Sequence, residues 1–458
     1  MHWLASEADQ RDKALVRRFN PLYWTVNFPR PMMAALVSTA PDALKVTAVF
    51  YRKGDLAGLI WESEDRFDHP LLAYETSRDY SGVRLSFRWK AQNLRALDLV
   101  DGPTLTIEGR DAQGLARTWY VRLWNYAVGD PEDAVVTLDF DDLAGGFLLP
   151  GEADPVHPHD IDRFFISLVA PDYAEGSDDP LAPPVIATLE LSDIRVEGPN
   201  ASLEIGDHFL RPHGLRLANG YDDCFNVNPA RILRNAVQLG YREWIDHYLG
   251  MSHYFSLTWN AGEGRFVVDP SSPVNAAAAA WHEAFFAAAR SFGFRVILSL
   301  SFELLNEHAP EAWKQRTHDG APALTGWDPP STLVAPTVGA AVDYLASVLI
   351  AFAAMQDAIG APVMVQIGEP WWWHQWDPPH EPCFYDGTTT ALYAAETGKP
   401  VPDAHLTMFE TPTAAQEDYL LWLGEKLGIA TLALRDAVKA AYPEAQATLL
   451  FYTPQVLN

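Results

Sequence analysis

The sequence predicts a multidomain protein in which an antiparallel, jelly-roll-like β-sandwich is followed by a (β/α) barrel of the TIM type. The chain has 458 residues, too many for one hydrophobic core. Strand-like segments fill the first part, whereas helices alternate with apolar strands after residue 206. We therefore predict an N-terminal arm over 1–22, a sandwich over 23–205 and a barrel over 206–458.

The sandwich prediction depends on short apolar segments separated by turn-forming residues. In one segment Val83, Leu85, Phe87 and Trp89 occupy every second position, which is typical of a strand with one buried face. The strand-like segments are LKVTAVFYR, VRLSFRWK, PTLTIEGR, TWYVRLW, AVVTLDF, RFFISLVAP and VIATLELSDIRV. Residues 151–160 and 172–184 are predicted as loops, and each sheet is expected to have one solvent-facing side. The pattern is similar to carbohydrate-binding jelly rolls, in which strands like 160–168 and 191–196 pair in one sheet.

The barrel prediction depends on three helical segments, 228–240, 274–293 and 338–360, each of which ends on a glycine that can adopt positive φ. Asn228 has the side chain of an N-cap. Apolar strands begin at GLRLANGY and near Glu243, Phe294, Pro362 and Ala447. A closed (β/α)8 barrel needs eight strands. The barrel is therefore apparently incomplete at its C-terminal end, or the natural product continues beyond Asn458.

Composition excludes several classes of function. The chain has 33 Lys and Arg against 60 Asp and Glu, a net charge of −27, which repels nucleic acid and anionic membranes. The first residues lack an apolar core of signal-peptide length, and no long apolar run follows, so we expect neither export nor membrane insertion. Cys224 and Cys383 are expected to be buried apolar residues. No nucleotide fingerprint or metal-ligand spacing is present, so no cofactor and no metal are expected.

Glu369, in VQIGEPWWWHQW, is the leading catalytic candidate because reacting groups of parallel barrels lie at the carboxyl ends of strands. The segment resembles the acid/base strand of retaining glycosidases, whose motif there is Asn-Glu-Pro. Glu369 and Pro370 match this motif, but Gly368 replaces the Asn that hydrogen-bonds the sugar. Retaining hydrolysis needs a second carboxylate. Glu303, at the end of the third strand, is the other strand-end glutamate available, although it could also cap a loop.

A dense aromatic cluster follows Glu369 and contains Trp371, Trp372, Trp373, His374 and Trp376. Indole rings stack on pyranose rings, anchor protein interfaces or simply pack in cores, and the sequence leaves all three roles open.

Two further groups of polar residues favour structural roles. Asp222 and Asp223, after the first barrel strand, favour a salt bridge or cap over a cation site. His247 and His253 lack a carboxylate at metal spacing.

The opening NPLYWTVNFPRPMMAALVSTAPDAL, the segment AGLIWESEDRFDHPLLAYETSRDYSGVRLSFRW and the segment GLRLANGYDDCFNVNPARILRNAVQLGYREWIDHYLGMSHYF together resemble phage and prophage non-contractile tail sheath proteins with a glycoside-hydrolase-like barrel. These segments also resemble, more loosely, the barrel-bearing tail proteins of gene transfer agents. The resemblance implies a structural tail subunit, assembled in the bacterial cytoplasm, with copies of itself, tail tube proteins and cell-surface glycan as partners. A retaining glycoside hydrolase with Glu369 as acid/base is the alternative, and a non-catalytic carbohydrate-binding module is a third hypothesis.

Overall fold

A computed structural model describes residues 11–65, 75–208, 210–403, 407 and 409–450. The first ten residues of the predicted arm, residues 66–74 of the predicted sandwich and the end of the chain after residue 450 lie outside the described residues. The described residues form two compact units. The sandwich unit comprises those within 1–216, 224–243 and 276–294, and the barrel-type unit comprises those within 217–223, 244–275 and 295–458.

The strands before residue 210 are β1 (Arg11–Arg17), β2 (Thr25–Asn27), β3 (Met33–Ala40), β4 (Ala43–Arg52), β5 (Leu56–Glu62), β6 (Arg84–Gln92), β7 (Thr104–Arg110), β8 (Ala116–Arg122), β9 (Ala127–Asp130), β10 (Asp133–Asp139), β11 (Ala144–Gly145), β12 (Asp154–Pro155), β13 (Ile161–Val169), β14 (Pro180–Glu197) and β15 (Ser202–His208). The later strands are β16 (Leu217–Gly220), β17 (Trp244–Leu249), β18 (Leu257–Asn260), β19 (Arg265–Val268), β20 (Arg295–Ser301), β21 (Glu303–Leu305), β22 (Ser331–Leu333), β23 (Met364–Gly368) and β24 (Gln446–Leu449). The α-helices are α1 (Tyr221–Cys224), α2 (Pro229–Gln238), α3 (Ala276–Ser291), α4 (Gly339–Ala358), α5 (Gly387–Thr397) and α6 (Ala414–Ala441).

Two antiparallel sheets form the sandwich. One has the strand order β3-β4-β14-β6-β10-β9 and the other has the order β2-β5-β13-β7-β8. Every segment predicted as a strand is a strand, and the alternating burial of β6 confirms the two-residue period of Leu85, Phe87 and Trp89. The core contains buried indoles from both sheets: Trp61 and Trp119 from one and Trp89 from the other.

Two predictions about the sandwich are wrong in detail. The segments 160–168 and 191–196 do not share a sheet, because β13 lies in one sheet and β14 in the other. The predicted loop at 172–184 is part strand, since β14 begins at Pro180. The register between β14 and β4 shifts between Pro180 and Val185. The prolines in this stretch lie where regular pairing is interrupted, so their missing N–H groups cost no ladder hydrogen bond.

The prediction of one solvent-facing side per sheet also fails at one end of the larger sheet. Helices α2 and α3 pack on β3, and α3 also packs on β4. As a result β4 is buried along almost its whole length, on both faces. Helices α2 and α3, which the sequence assigns to the barrel, therefore belong to the sandwich unit.

The barrel-type unit contains a five-stranded parallel sheet with the order β16-β17-β20-β23-β24. These strands confirm the five predicted from the sequence. In the described part of the chain the sheet is open, because neither β16 nor β24 pairs on its outer edge. The hairpins β18–β19 and β21–β22 and the helices α5 and α6, which lie between strands of this sheet, were not predicted from the sequence.

Helix α4 is long and apolar enough to span a membrane by length and composition, although no such segment was expected from the sequence. Core helices of soluble proteins pass the same test. In the structure α4 packs on β20, β23 and α6, and its buried residues include Leu345, Val348, Leu349 and Phe352. Its apolar character is therefore explained by burial in the barrel-type unit.

Helix termini agree with the sequence. Gly240, Gly293 and Gly360 all have positive φ after their helices. The side chain of Asn228 accepts a hydrogen bond from the Ala230 amide, which confirms the predicted N-cap.

Candidate functional site

A cavity of about 720 Å³ lies at the carboxyl edge of the parallel sheet. Its walls come from the ends of successive strands: Asp222 after β16, Tyr248 on β17, Glu303 after β20 and Glu369 after β23. Active sites of parallel barrels occupy the same edge, because the loops there can vary without disturbing the sheet. The structure thus places both predicted catalytic residues, Glu369 and Glu303, in one cavity.

Glu369 follows the last residue of β23 and has a φ of 48°. A non-glycine residue in this left-handed region is strained, and such strain is common at functional sites. The Tyr248 hydroxyl donates a hydrogen bond of 3.1 Å to Oε2 of Glu369. Burial, with Glu303 and Glu369 nearby, raises the pKa of Tyr248, so the phenol stays protonated and remains a donor to Glu369.

Gly368 has no space for a side chain. A Cβ atom there would lie 2.8 Å from Oγ of Ser299, 3.0 Å from the carbonyl oxygen of Leu300 and 3.2 Å from Cε2 of Tyr248. The asparagine of the glycosidase motif would therefore not fit on this backbone. Tyr248 fills part of that space and supplies a hydrogen bond to the neighbouring Glu369.

Glu303 is buried, and the Ser331 hydroxyl donates a hydrogen bond of 2.7 Å to its Oε2 atom. Burial raises the pKa of Glu303, and the nearby Glu369 carboxylate raises it further, while hydrogen bonds from Ser331 and Trp327 oppose the increase. Glu303 therefore favours the protonated form more than a carboxyl group in water does. Glu303 and Glu369 thus have different hydrogen-bond partners, Ser331 for Glu303 and Tyr248 for Glu369, and a pair of carboxyl groups with different roles requires different environments.

Asp222 accepts hydrogen bonds from the Met251 amide, the Ser252 hydroxyl and Nδ1 of His253. Burial opposes its ionisation, but these hydrogen bonds and the His253 partner outweigh burial and leave the pKa of Asp222 below its ordinary value. The hydrogen-bonded pair of Asp222 and His253 agrees with the structural role, a salt bridge or cap, that the sequence favoured for this aspartate. Asp223, its neighbour, is exposed at the cavity mouth.

The two histidines of the same region have different partners. His247 is buried on β17 and hydrogen-bonds Oδ1 of Asn219, whereas His253 pairs with Asp222. Among the described residues, no group of three His, Cys, Asp or Glu side chains is placed to hold a metal ion.

The predicted aromatic cluster does not line the cavity. Trp372 donates to the Leu423 carbonyl and packs against the aromatic cluster of α5 and α6, and Trp373 donates to the Leu324 carbonyl. Trp371 meets Trp373 edge-on, and His374 stacks on Trp373. Trp376 is 61% exposed. All five residues therefore have packing contacts, since the Trp376 indole lies against Gly326, but Trp376 alone among them presents most of its surface to solvent.

Sequence reasoning missed three residues of the cavity: Tyr248, Asp246 and Trp327. Asp246 and Tyr248 lie on β17 on either side of His247, and the alternation of the strand places them on the face opposite to that histidine. Trp327 lies in the segment between β21 and β22, outside any predicted element, and no local pattern marks it.

The cysteines agree with the sequence in part. Cys383 is buried, and burial raises the pKa of its thiol to about 12, whereas Cys224 is half-buried.

A second cavity, of about 340 Å³, lies in the sandwich unit beside the edge strand β8. Leu99, Tyr120 and Phe147 line it and are 47%, 64% and 38% exposed. The Arg122 guanidinium lies 4.0 Å from the centre of the Phe147 ring. We call Leu99, Tyr120, Arg122 and Phe147 the β8 patch. Large exposed apolar side chains grouped around a groove are typical of a surface that contacts another protein.

Solved structures that resemble the chain are distant. The enzymatically active domain of bacteriophage CBA120 tailspike protein 4 is 13% identical, over 39% of this chain and 20% of that chain, with a TM-score of 0.20. A GH31 alpha-xylosidase from Xanthomonas citri is 10% identical, over 96% of this chain and 45% of that chain, with a TM-score of 0.21. An exo-beta-agarase is 9% identical, over 96% and 80%, with a TM-score of 0.25. At such TM-scores the likeness supports no conclusion about fold or activity.

Family models match nearly the whole chain. The non-contractile tail sheath N-terminal domain matches residues 16–206, the region of the antiparallel sandwich. The non-contractile tail sheath protein TIM barrel matches residues 211–458, the region that contains the parallel sheet. The antiparallel part and the parallel sheet follow one another along the chain in the same order as the two matched domains. The chain therefore belongs to the non-contractile tail sheath family and is a structural component of a phage-like tail.

Proposed function

We propose that the protein is a sheath or tube-decorating subunit of a non-contractile phage-like tail, and that its barrel-type unit serves mainly as a structural part. The matches to both tail sheath domains carry this proposal. Copies of the chain, tail tube proteins and cell-surface glycan are its proposed partners, and the bacterial cytoplasm is the proposed place of assembly. We propose 1–22 as an N-terminal arm, 23–205 as the sandwich domain and 206–458 as the barrel domain, although α2 and α3 pack in the sandwich unit.

The β8 patch is the surface that we propose for contact between copies. At a net charge of −27 the copies repel one another, so a contact has to gain its free energy from apolar burial. Tyr120 and Leu99 expose large apolar surfaces beside a groove, and Arg122 adds a positive charge that an acidic neighbour attracts.

Tyr120→Glu tests this proposal. We expect the wild-type protein to form rings or tubes at high concentration, visible by negative-stain electron microscopy, and the variant to sediment as a monomer. Ile186→Glu is the matched control, because Ile186 is 51% exposed on β14 of the other sheet. Wild-type protein that stays monomeric at high concentration contradicts the sheath role. Assembly that survives Tyr120→Glu contradicts only the proposed contact surface.

A retaining glycoside hydrolase is the second candidate, favoured by the common cavity that Glu369 and Glu303 line. The sequence suggested Glu369 as acid/base. The Tyr248 hydroxyl donates a hydrogen bond to Glu369, whereas burial raises the pKa of Glu303 and favours its protonated form. In this candidate we therefore propose Glu303 as the proton donor and Glu369 as its carboxylate partner.

Hydrolysis is tested by release of reducing ends from host polysaccharide. We expect Glu303→Gln and Glu369→Gln each to abolish turnover while leaving the melting temperature close to that of wild type. Wild-type protein that is inert on the polysaccharide to which its particles attach rules out the hydrolase and leaves the structural role intact.

A further inference from the structure

The cavity of the barrel-type unit has an acidic lining. Its charged side chains are Asp222, Asp223, Asp246, Glu303 and Glu369, and among the described residues none of those that line it is basic. In a partly buried site another negative charge is repelled by those of these groups that are ionised, and the repulsion is stronger than in water. The lining therefore disfavours anionic ligands.

One oxygen of this lining has no partner. Oδ1 of Asp246 is buried and accepts no hydrogen bond from the described residues. Burial raises the pKa of Asp246, as expected for a carboxyl group with an unsatisfied atom. Asp246 also lines the cavity, so a ligand hydroxyl or ammonium group there can hydrogen-bond to its carboxyl group.

An exposed indole adds a flat apolar wall to the acidic lining. Trp327 lines the cavity together with Glu303 and remains 57% exposed. An exposed aromatic face beside hydrogen-bond acceptors suits a pyranose ring, which has an apolar C–H face and hydroxyl donors at its edge. A volume of about 720 Å³ is within the range of small-molecule sites.

We infer that this cavity binds a pyranose that carries no acidic group, and that it prefers an amino sugar to a neutral one. The inference rests on the proposed contact with cell-surface glycan and specifies the sugar class. Trp327 stacks on the ring, Asp246 and Glu369 accept hydrogen bonds from its hydroxyl or ammonium groups, and the acidic lining rejects uronic acids.

Three trisaccharides of similar size test the inference on the full chain near neutral pH. We expect isothermal titration calorimetry to show the tightest binding for the glucosamine trimer, weaker binding for the N-acetylglucosamine trimer, and binding of the galacturonic acid trimer that is weaker than that of the glucosamine trimer by about tenfold or more. The advantage of the glucosamine trimer should shrink as salt is added, because salt screens charge.

Variants locate the binding. Trp327→Ala should weaken binding of the glucosamine and N-acetylglucosamine trimers, whereas Trp327→Phe should retain most of it. Asp246→Asn should reduce the preference for the glucosamine trimer over the N-acetylglucosamine trimer. Phe409→Ala is the control, because Phe409 is an aromatic residue of the same unit, is 75% exposed and does not line the cavity.

The outcomes separate this inference from the sheath proposal. If none of the trimers binds while the protein still assembles, or if the galacturonic acid trimer binds as tightly as the glucosamine trimer, the inference is wrong and the sheath role stands. If the wild-type trimer series behaves as expected but the protein never self-associates, the sheath role fails and the sugar site stands. If Trp327→Ala does not fold, the titrations of wild-type protein with the three trimers decide whether the inference is right.

Discussion

The backbone around position 368 excludes any residue with a side chain, although the sequence suggested only that a glycosidase asparagine had been lost. We predict that Gly368→Ala destabilises the protein by about 1 to 3 kcal/mol, because its Cβ would collide with Ser299 and the Leu300 carbonyl. Gly339→Ala is the control, since a Cβ at the start of α4 meets no atom within 4 Å. Urea denaturation of both variants measures the difference, and equal midpoints would contradict the expected collision.

The buried Asp222 carboxylate is predicted to make stability depend on pH. Its pKa is lower in the folded protein than its ordinary value, so its contribution is fully present above about pH 4 and is lost as the pH falls through the folded pKa. We expect Asp222→Asn to cost about 1 to 3 kcal/mol at neutral pH and progressively less in acid.

Asp223→Asn is the matched control for this pH dependence, because Asp223 is adjacent but exposed. Denaturation curves of both variants from neutral to acidic pH provide the comparison. A cost of Asp222→Asn that stays constant with pH would show that the carboxylate charge is not what stabilises this site.

At the scale of elements, the N-cap residue of α2 is predicted to contribute more to stability than an ordinary helix cap. Asn228 is fully buried, and besides capping α2 its amide group donates to Oγ of Ser38 at 2.7 Å and to the Pro21 carbonyl at 3.3 Å. We expect Asn228→Ala to cost about 2 to 4 kcal/mol, because the cap is lost, the buried Pro21 carbonyl loses its donor and the half-buried Ser38 hydroxyl loses a partner.

Thr413→Ala at the start of α6 is the comparison for Asn228→Ala. Thr413 forms a capping box with Gln416 but has no comparable set of distant partners among the described residues. Loss of this cap should cost about 1 kcal/mol. Equal costs for the two variants in chemical denaturation would mean that the bonds of Asn228 to the sandwich add nothing.

At the scale of the whole molecule, net charge is predicted to oppose assembly. With 60 acidic against 33 basic residues, copies repel one another at low salt. We predict that raising the NaCl concentration from about 0.05 M to about 0.5 M strengthens self-association, because the screening length shortens severalfold. Sedimentation velocity across the salt series measures this effect. Weaker association at high salt would indicate contacts made of ion pairs instead of apolar surfaces.

Much of the fold could be predicted because local periodicity reports which faces of a segment are buried. The two-residue period of Leu85, Phe87 and Trp89 identified β6, and the glycine-terminated helices α2, α3 and α4 were found with their neighbouring parallel strands. The position of Glu369 at a strand end could also be predicted, because the carboxyl edge of a parallel sheet is defined by strand direction alone.

The sequence by itself determined the two-part architecture, the five parallel strands and the acidic charge, since each follows from composition or from patterns within one segment. Only the tertiary structure decided that α2 and α3 pack on β3, that β13 and β14 lie in opposite sheets, and that Tyr248 and Trp327 join Glu303 and Glu369 around one cavity. The physical reason is that periodicity tells which face of an element is buried, whereas the partner of that face depends on contacts between segments far apart in the chain.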